Sequence, residues 1–227
     1  MNMVYNEAMV IEKTLNKLKG NYPLTELDIG EYAKIKKNGM KFLIHSYKVG
    51  DIGYLSVLNM SAMLGLMKME TVVFSPITID VPLFSFDYIK ALGNETLLVD
   101  IYDLCVNKGK TYQNLVDLKE KYKDLPNSEL KPRWYDSLRC DGFLAKRGKK
   151  LTKKFEEACD DYLNEFDSIL KNGDAVDPKA KRVPLKEYVD GLFDKGAPTT
   201  EQFNKILGEE KARDMYGKYI FFSVPLE

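Results

Sequence analysis

Two apolar segments near the middle of the chain read Val81-Pro82-Leu83-Phe84-Ser85-Phe86-Asp87-Tyr88-Ile89 and Leu97-Leu98-Val99-Asp100-Ile101, with Gly93-Asn94 between them. Short runs of aromatic and aliphatic residues of this kind predict β-strands. Gly-Asn readily adopts the positive φ angles that a tight turn between antiparallel strands requires. We therefore predict a β-hairpin that turns at Gly93 and Asn94.

Asp87 is a carboxylate among aromatic and aliphatic neighbours in the first strand of this hairpin. Burial without a partner disfavours the charged form of a carboxylate, so its pKa would rise toward neutral pH. A carboxylic acid with such a pKa can donate a proton to a substrate. We therefore predict that Asp87 is an acid in a pocket. The alternative is that it points to solvent from the polar face of a strand.

Composition limits the classes of partner and the compartment. The 227 residues include 34 Lys and Arg and 34 Asp and Glu, a balance that predicts neither a nucleic-acid nor a membrane partner. The cysteines Cys105, Cys140 and Cys159 are too scattered for a disulfide framework, which indicates a reducing compartment. The first residues lack a leader pattern, and no apolar run is long enough to span a bilayer. We expect a cytoplasmic protein.

The residue inventory also argues against several kinds of site. His45 is the single histidine, and no Cys-x-x-Cys pair occurs, so zinc and iron sites are not expected. The chain lacks the glycine-rich loops that bind nucleotides and the Gly-x-Ser-x-Gly elbow of hydrolases. If the protein is an enzyme, we expect carboxylates to carry its acid chemistry.

Hydrophobic periodicity predicts one helix, then strands, then helices. The segments that resemble strands are residues 29–35, 40–47, 54–60, 62–74 and the hairpin. The segments with helical spacing are residues 3–19, 112–122, 151–170, 185–193 and 199–219, with a loop over 177–184 and a break at Gly208. Successive strands joined by short turns favour an antiparallel meander. We predict an α+β fold with helices on both faces of a central antiparallel sheet, in a single domain over residues 1–227.

Glu70 is a second carboxylate inside an apolar run. If residues 63–74 and 84–90 form neighbouring strands, Glu70 and Asp87 could face one cavity. Their pKa values would then separate, and one group would keep its proton. The simpler interpretation is that Glu70 points to solvent, and the sequence favours it.

The strongest basic cluster extends from Lys131 and Arg133 through Arg147 to Lys154. Arginine suits bidentate capture of carboxylates, and lysines give a diffuse positive patch. The cluster predicts a site for an anionic ligand or an acidic partner; the alternative is a solvated loop and helix start. A methionine series suits either core packing or the wall of an apolar pocket: Met60, Met63, Met67 and Met69.

Several stretches, in order along most of the chain, resemble the ferredoxin-dependent bilin reductases. Three match the central hairpin of that family, in which an apolar strand precedes a Leu-Pro-Leu-Phe-like step and an aspartate: residues 70–74, 81–87 and 97–100. The others match its first strands, its tryptophan and propionate-binding arginine, and its C-terminal helix: residues 30–35 and 42–47, Trp134 with Arg147, and residues 203–222. The chain resembles a divergent member of this family.

The resemblance implies a three-layer α/β/α sandwich with an antiparallel sheet. A linear tetrapyrrole such as biliverdin would bind between the sheet and the C-terminal helices. Members of the family hold no permanently bound metal or organic cofactor, and their electrons arrive singly from external reduced ferredoxin. The resemblance thus implies an oxidoreductase that protonates and reduces a bilin through radical intermediates, with ferredoxin or another acidic electron carrier as its partner.

The resemblance also assigns roles to residues. Asp87 matches the catalytic aspartate that donates a proton to the bilin, and Glu70 matches a position held by histidine in the phycocyanobilin-forming branch. Asp194 matches a second catalytic aspartate, and Arg147 matches an arginine that pairs with a propionate. Leu58 stands where the phycocyanobilin-forming branch has a glutamate.

We further expect Phe84 and Met69 to contact the tetrapyrrole, and residues 146–154 to dock ferredoxin. Two other functions stay open from the sequence. One is a tetrapyrrole-binding protein without catalysis, and the other is an interaction domain that holds an acidic partner.

Overall fold

The computed structural model describes residues 9–226. The helices are α1 Met9–Lys19, α2 Gln113–Lys121, α3 Thr152–Lys171, α4 Pro178–Asp194, α5 Pro198–Leu207 and α6 Glu209–Met215. The strands are β1 Leu24–Leu27, β2 Lys34–Lys37, β3 Met40–Val49, β4 Gly53–Ala62, β5 Met67–Pro76, β6 Leu83–Ala91, β7 Asn94–Tyr102 and β8 Leu144–Gly148. Short 3-10 turns and one π-helical turn also occur: Gly30–Ala33, Met63–Gly65, Trp134–Leu138 and Tyr216–Ile220.

The strands within residues 9–226 form one eight-stranded antiparallel sheet. Its order is β1-β3-β4-β5-β6-β7-β8, and β2 pairs with β3 beside β1. From β3 to β7 each strand pairs with the next along the chain, which confirms the predicted meander. The long hairpins bring residues of β5, β6 and β7 into register at the centre of the sheet, where the candidate site lies.

Helices cover both faces of the sheet, as predicted. On one face, α1, α2 and α3 pack on a core that includes Phe74, Phe84, Phe86 and Phe166. On the other face, α4, α5 and α6 pack on a second core that surrounds the candidate site. Successive side chains of a strand point to opposite faces, so each strand contributes alternate residues to the two cores. Within residues 9–226, no helix is long and apolar enough to cross a membrane.

The predicted hairpin is confirmed, but its turn lies one residue earlier. Ala91 pairs with Asn94, so the two turn residues are Leu92 and Gly93, with φ angles of 51° and 77°. Both central residues of such a tight turn need positive φ, and Asn94 instead begins β7. The register that follows places Leu98 opposite Asp87 and Asp100 opposite Ser85.

Other predicted elements need correction at their ends. Residues 29–35 begin with a 3-10 turn before the short β2, and residues 62–74 are interrupted by a turn at Met63–Gly65. Of the predicted helix 3–19, residues 3–8 lie outside the described part. The break between α5 and α6 at Gly208 is confirmed, with φ of 85°. The strands β1 and β8 were not predicted, because each is short and rich in polar residues.

The segment predicted as a loop before residue 185 is the first half of α4. Asp177 accepts a hydrogen bond from the Lys179 backbone N–H, and Pro178 occupies the first helical position, a favoured place for proline. Pro184 removes one backbone donor inside the helix without ending it. Local signals at the helix start therefore outweigh the proline that suggested a loop.

A buried lysine fixes this part of α4 to the sheet. Lys181 is fully buried, and its Nζ donates to Asp80 Oδ1 at 3.2 Å, Val81 O at 2.7 Å and Leu104 O at 2.9 Å. Asp80 in turn accepts hydrogen bonds from the backbone of Val106 and Asn107. Because every donor of the ammonium group has a partner, its burial is tolerated and α4 is held over the sheet.

Candidate active site

A cavity of about 330 Å³ lies between the sheet and the helices α4 and α5. Its apolar and aromatic lining includes Phe42, Leu58, Met69, Val73, Leu83, Leu98, Tyr102, Tyr188, Phe203, Tyr216 and Phe221. Its polar lining includes Ser56, Thr71, Ser85, Asp87, Asp100, Arg139 and Gln202. Small-molecule sites have volumes of about 300–1,000 Å³ and combine apolar walls with a few polar groups. The cavity fits that description.

Asp87 points into this cavity from the centre of β6. Its Oδ1 accepts a hydrogen bond from the hydroxyl of Thr71, the residue directly opposite on β5. Burial raises the pKa of Asp87 from 3.8 to about 7; the Thr71 hydrogen bond acts against this rise, and the charge of Asp100 adds to it. A carboxyl group in this environment holds its proton near neutral pH and can release it to a ligand in the cavity.

Asp100 and Arg139 form a buried ion pair beside Asp87. Arg139 Nε donates to Asp100 Oδ1 at 2.7 Å, and its Nη1 donates to Asp136. The guanidinium group also lies near the aromatic rings of Tyr102, Tyr135 and Phe143, at 5.9, 5.6 and 5.3 Å from the ring centroids. The single guanidinium group of Arg139 thus contacts two carboxylates, and one of them, Asp100, lies close to Asp87.

Asp100 is a near neighbour of Asp87 through the hairpin register. Diagonal residues on adjacent antiparallel strands lie about 7–8 Å apart on the same face. Asp100 is two residues along β7 from Leu98, the partner of Asp87, so the two carboxylates share the cavity face. Burial raises the pKa of Asp100, and Arg139 opposes this rise.

Buried tyrosines complete the polar wall. Tyr102 and Tyr188 share a hydrogen bond, and their ring centroids are 5.0 Å apart. Burial raises the pKa of both hydroxyl groups above the ordinary value, and that of Tyr216, which also feels the charge of Asp87. These hydroxyls therefore stay neutral at physiological pH and can donate hydrogen bonds to a ligand.

The cavity opens to solvent beside the segment that precedes the Trp134–Leu138 turn. Glu129, Leu130 and Lys131 are exposed at this rim, and Arg133 is half-buried. The basic groups of Lys131 and Arg133 belong to the cluster that the sequence predicted as an anion site. A ligand with a buried apolar body and anionic ends would place those ends at this rim.

Glu70 does not face the cavity, so the prediction that it acts with Asp87 in one pocket is wrong. The side chain lies on the opposite face of the sheet and accepts hydrogen bonds from three backbone N–H groups in the first described turn of α1. The donors are Met9 at 3.0 Å, Val10 at 2.8 Å and Ile11 at 3.2 Å. Burial raises the pKa of Glu70, and these N–H groups oppose the rise. The solvent-facing alternative is also wrong, because Glu70 is buried.

Replacement of Glu70 tests its structural role. Glu70→Ala leaves three buried donors without their acceptor, so we expect the free energy of unfolding to fall by about 1–3 kcal/mol. Glu70→Gln keeps one amide oxygen as acceptor and should lose less. Denaturant unfolding measures both changes, with Glu187→Ala at an exposed site as the control. A loss of cavity chemistry in a fully stable Glu70→Gln protein would contradict the placement of Glu70 on the far face.

Met69 and Phe84 were both expected to contact the ligand, but only Met69 lies at the cavity. Met69 lines the cavity, two residues before Thr71 on β5. Phe84 lies on the opposite face, where its ring packs on Phe166 of α3 with centroids 4.2 Å apart. The prediction for Phe84 is therefore wrong, because the alternation of the strand turns the even-numbered residues of β6 away from the cavity.

Arg147 and Asp194 both lie outside the cavity lining. Arg147 is exposed on the edge strand β8; its partner Thr96 is two residues from Leu98, so Arg147 is on the cavity face of the sheet. Its predicted contact with a propionate stays a prediction. Asp194 ends α4 on the surface and pairs with Arg213 Nη2 at 2.5 Å. An exposed ion pair gives Asp194 no contact with the cavity, and this placement does not support a catalytic role.

Sequence reasoning missed the partners of Asp87. Thr71 is its opposite residue across β5–β6, and Asp100 follows from the β6–β7 register. Counting outward from the turn at Leu92 and Gly93 would have placed Asp100 on the same face as Asp87. No comparable signal points to Arg139, which reaches Asp100 from a loop far along the chain.

Among residues 9–226, no three His, Cys, Asp or Glu side chains come together in a way that could hold a metal ion. His45 lies outside the cavity, where its Nδ1 is 2.7 Å from Glu26.

The structure is similar to the crystal structure of phytochromobilin synthase from tomato in complex with biliverdin. The TM-score is 0.73 with 16% sequence identity, over 95% of this chain and 82% of the other. No protein-family model matches the sequence, and no curated protein does. At this identity the similarity establishes the fold, and it confirms the architecture that the sequence resemblance implies.

Proposed function

We propose that this chain, which has the fold of phytochromobilin synthase, binds a linear tetrapyrrole such as biliverdin in the cavity and reduces one of its double bonds. Asp87 carries the proposal. It is an acid with a pKa of about 7 on the wall of a largely apolar cavity, in a fold that in the tomato protein accommodates biliverdin. The aromatic side chains of Tyr188, Tyr216 and Phe221 offer faces on which pyrrole rings can pack.

The rim supports an orientation for such a ligand. The propionates of a tetrapyrrole are carboxylates that stay hydrated or pair with cations, and Lys131 and Arg133 stand at the opening. Arg147 lies further out on the same face of the sheet, where we keep it as a candidate for a propionate. The rings would then lie inward, over Asp87.

Reduction of one double bond takes two electrons and two protons. Asp87 donates one proton from its neutral form, which prevails below about pH 7. Asp87 then recovers a proton from solvent through the open side of the cavity and supplies the second proton in the same way. Above pH 7 the neutral form falls about tenfold per pH unit, so the rate of reduction should fall in the same way.

Reduced ferredoxin or another acidic carrier would deliver the electrons singly, so that no resident cofactor is needed. Lysines on the surface near the end of β8 suit an acidic donor: Lys149, Lys150, Lys153 and Lys154 are exposed. The prediction that Lys146 belongs to the docking patch is wrong. Its side chain is buried and donates to Lys123 O, Leu125 O and Asn127.

One experiment tests the proposal and separates it from its alternatives. Biliverdin is added under anaerobic conditions, the visible spectrum is recorded, and a ferredoxin-reducing system follows. We expect a shift of the bilin absorbance on binding and its conversion on reduction. A shift without conversion would instead indicate a tetrapyrrole-binding protein without catalysis. No shift with any bilin would contradict the proposal and favour an interaction domain.

A further inference from the structure

Three hairpin turns meet at one end of the sheet. Lys37 pairs with Met40 across the turn at residues 38–39, Ala62 pairs with Met67 across residues 63–66, and Ala91 pairs with Asn94 across residues 92–93. Because β3, β4, β5, β6 and β7 are neighbours in the sheet, these turns stand side by side. We name residues 63–66 and 92–93 the apolar tips.

The apolar tips expose large hydrophobic side chains. Leu64 is 106% exposed, Leu92 70%, Leu66 64% and Met63 54%. Of the seven exposed large hydrophobic side chains among residues 9–226, these four lie on the two adjacent turns. Single exposed leucines are ordinary on a protein surface, but four large apolar side chains on two neighbouring turns indicate an interaction site.

The backbone conformation of the apolar tips is also unusual for their residue types. Met63, Leu64 and Leu92 have φ angles of 52°, 56° and 51°, in the left-handed region that favours Gly and Asn. A large apolar residue in this backbone conformation strains the turn, and its exposed side chain is poorly hydrated. The residue types at the apolar tips are therefore poor choices for folding, which indicates selection for a contact.

Lysines lie beside and behind the apolar tips. Lys36 pairs with Lys41 across β2 and β3, an arrangement of like charges that is unfavourable in itself. A groove between the first two turns is lined by Lys36, Lys37, Lys41 and Leu64. Lys90, one residue before the end of β6, is exposed as well and lies opposite Glu95 of β7. An anionic partner would relieve this repulsion.

We propose that this end of the sheet docks on an anionic lipid surface, with the apolar tips in the interfacial region and the lysines at the headgroups. Apolar side chains on projecting turns with basic residues set behind them fit a deformable bilayer surface. Lysine is depleted from protein–protein interfaces, whereas it is well suited to anionic headgroups. The balanced charge of the whole chain conceals this local arrangement. The inference does not depend on the proposed function.

Vesicle binding by the full chain tests the inference. We expect co-sedimentation with vesicles of phosphatidylcholine and phosphatidylglycerol, and much weaker binding to phosphatidylcholine alone or at high salt. Leu64→Asn with Leu92→Asn should lower the affinity at least about tenfold, since two side chains no longer leave water. Each of Lys36→Gln and Lys41→Gln should lower it about fivefold.

Two controls separate a contact role from a folding role. Asn tolerates positive φ, so the double Asn variant should have a melting temperature at least as high as that of the wild type. Val183→Ser, at an exposed site on α4, should leave vesicle binding unchanged. The inference is overturned if the wild type binds neither kind of vesicle, or if the Asn variant binds as tightly as the wild type. It is also overturned if the tip variants alter saturation by an acidic electron donor without altering vesicle binding.

Discussion

Asp87→Asn is expected to abolish bilin reduction while the protein still binds the pigment. Asparagine keeps the size and the hydrogen bond from Thr71 but has no proton to donate at neutral pH. Loss of a general acid typically costs about 10²–10⁴-fold in rate. Single-turnover reduction of bound biliverdin under anaerobic conditions measures this loss, and the absorbance shift of the bound bilin measures binding.

The same substitution should raise the stability of the protein at alkaline pH. The folded-state pKa of Asp87 is raised from 3.8 to about 7, so the folded protein holds the proton more tightly than the unfolded chain. Stability therefore falls as the pH rises from about 4 to 7, and the loss persists above pH 7. The asparagine side chain of the variant stays neutral throughout this range.

We expect a gain of about 1–3 kcal/mol in the free energy of unfolding at pH 8, because one pKa unit is worth about 1.4 kcal/mol and the partial exposure of Asp87 to the cavity weakens the effect. At pH 3 the variant and the wild type should be equally stable.

Ser85→Ala is the matched control for Asp87→Asn. Ser85 lies two residues away on the same strand and lines the same cavity, but it has no acidic group. Its replacement should leave both the rate of reduction and the pH dependence of stability close to those of the wild type. Reduction by Asp87→Asn at the wild-type rate would show that Asp87 is not the acid.

Arg139→Gln and Asp100→Asn are expected to shift the pKa values of the cavity carboxylates in opposite directions. Without Arg139, the carboxylates Asp87 and Asp100 share a buried space with no cation on Asp100, so the higher apparent pKa of the pair should rise above 7. Without the charge of Asp100, the pKa of Asp87 should fall below 7 but stay above 3.8, because burial is its main cause.

Titration of the ligand-free protein measures these pKa values without reference to catalysis. The carboxyl carbons are followed by NMR in protein labelled at aspartate, and Asp87→Asn assigns the signal. Glu129→Gln, which removes a charge at the exposed rim, is the control and should leave the titration unchanged. Equal shifts in the same direction for both variants would show that Asp100 and Arg139 act only through the structure.

The free energy of unfolding provides a second test of the Asp100–Arg139 ion pair. Removal of one partner of a buried ion pair leaves an uncompensated charge, which typically costs about 3–5 kcal/mol. We therefore expect Arg139→Gln to be the more damaging variant in denaturant unfolding. Asp100→Asn should be milder, since Arg139 keeps its contact with Asp136.

The hairpin and its acid could be predicted from the sequence because both depend on local pattern. A run of apolar residues, a turn with glycine and a second run specify two paired strands, and Asp87 is conspicuous within the first. The helices α3, α5 and α6 follow in the same way from their apolar spacing and from Gly208. These signals act between residues close in sequence, where spacing alone decides the outcome.

Much of the candidate site could not be predicted, because which face a carboxylate occupies depends on register and on distant partners. Glu70 and Asp87 both interrupt apolar strands, yet one accepts hydrogen bonds from α1 and the other faces the cavity. Glu70 is one residue away from Thr71, the partner of Asp87, so the two carboxylates point to opposite faces of the sheet. Phe84 and Met69 were separated by the same alternation.

The amino-acid sequence by itself determined the central strands of the sheet, their hairpin and the presence of an acid within it, because strand and turn patterns are local. Only the tertiary structure selected Asp87 over Glu70, brought Arg139 to Asp100, and set the apolar tips beside the lysines. These relations join residues that are far apart in the chain. Their energies come from burial, charge and register, which exist only once the sheet has been assembled and covered by its helices.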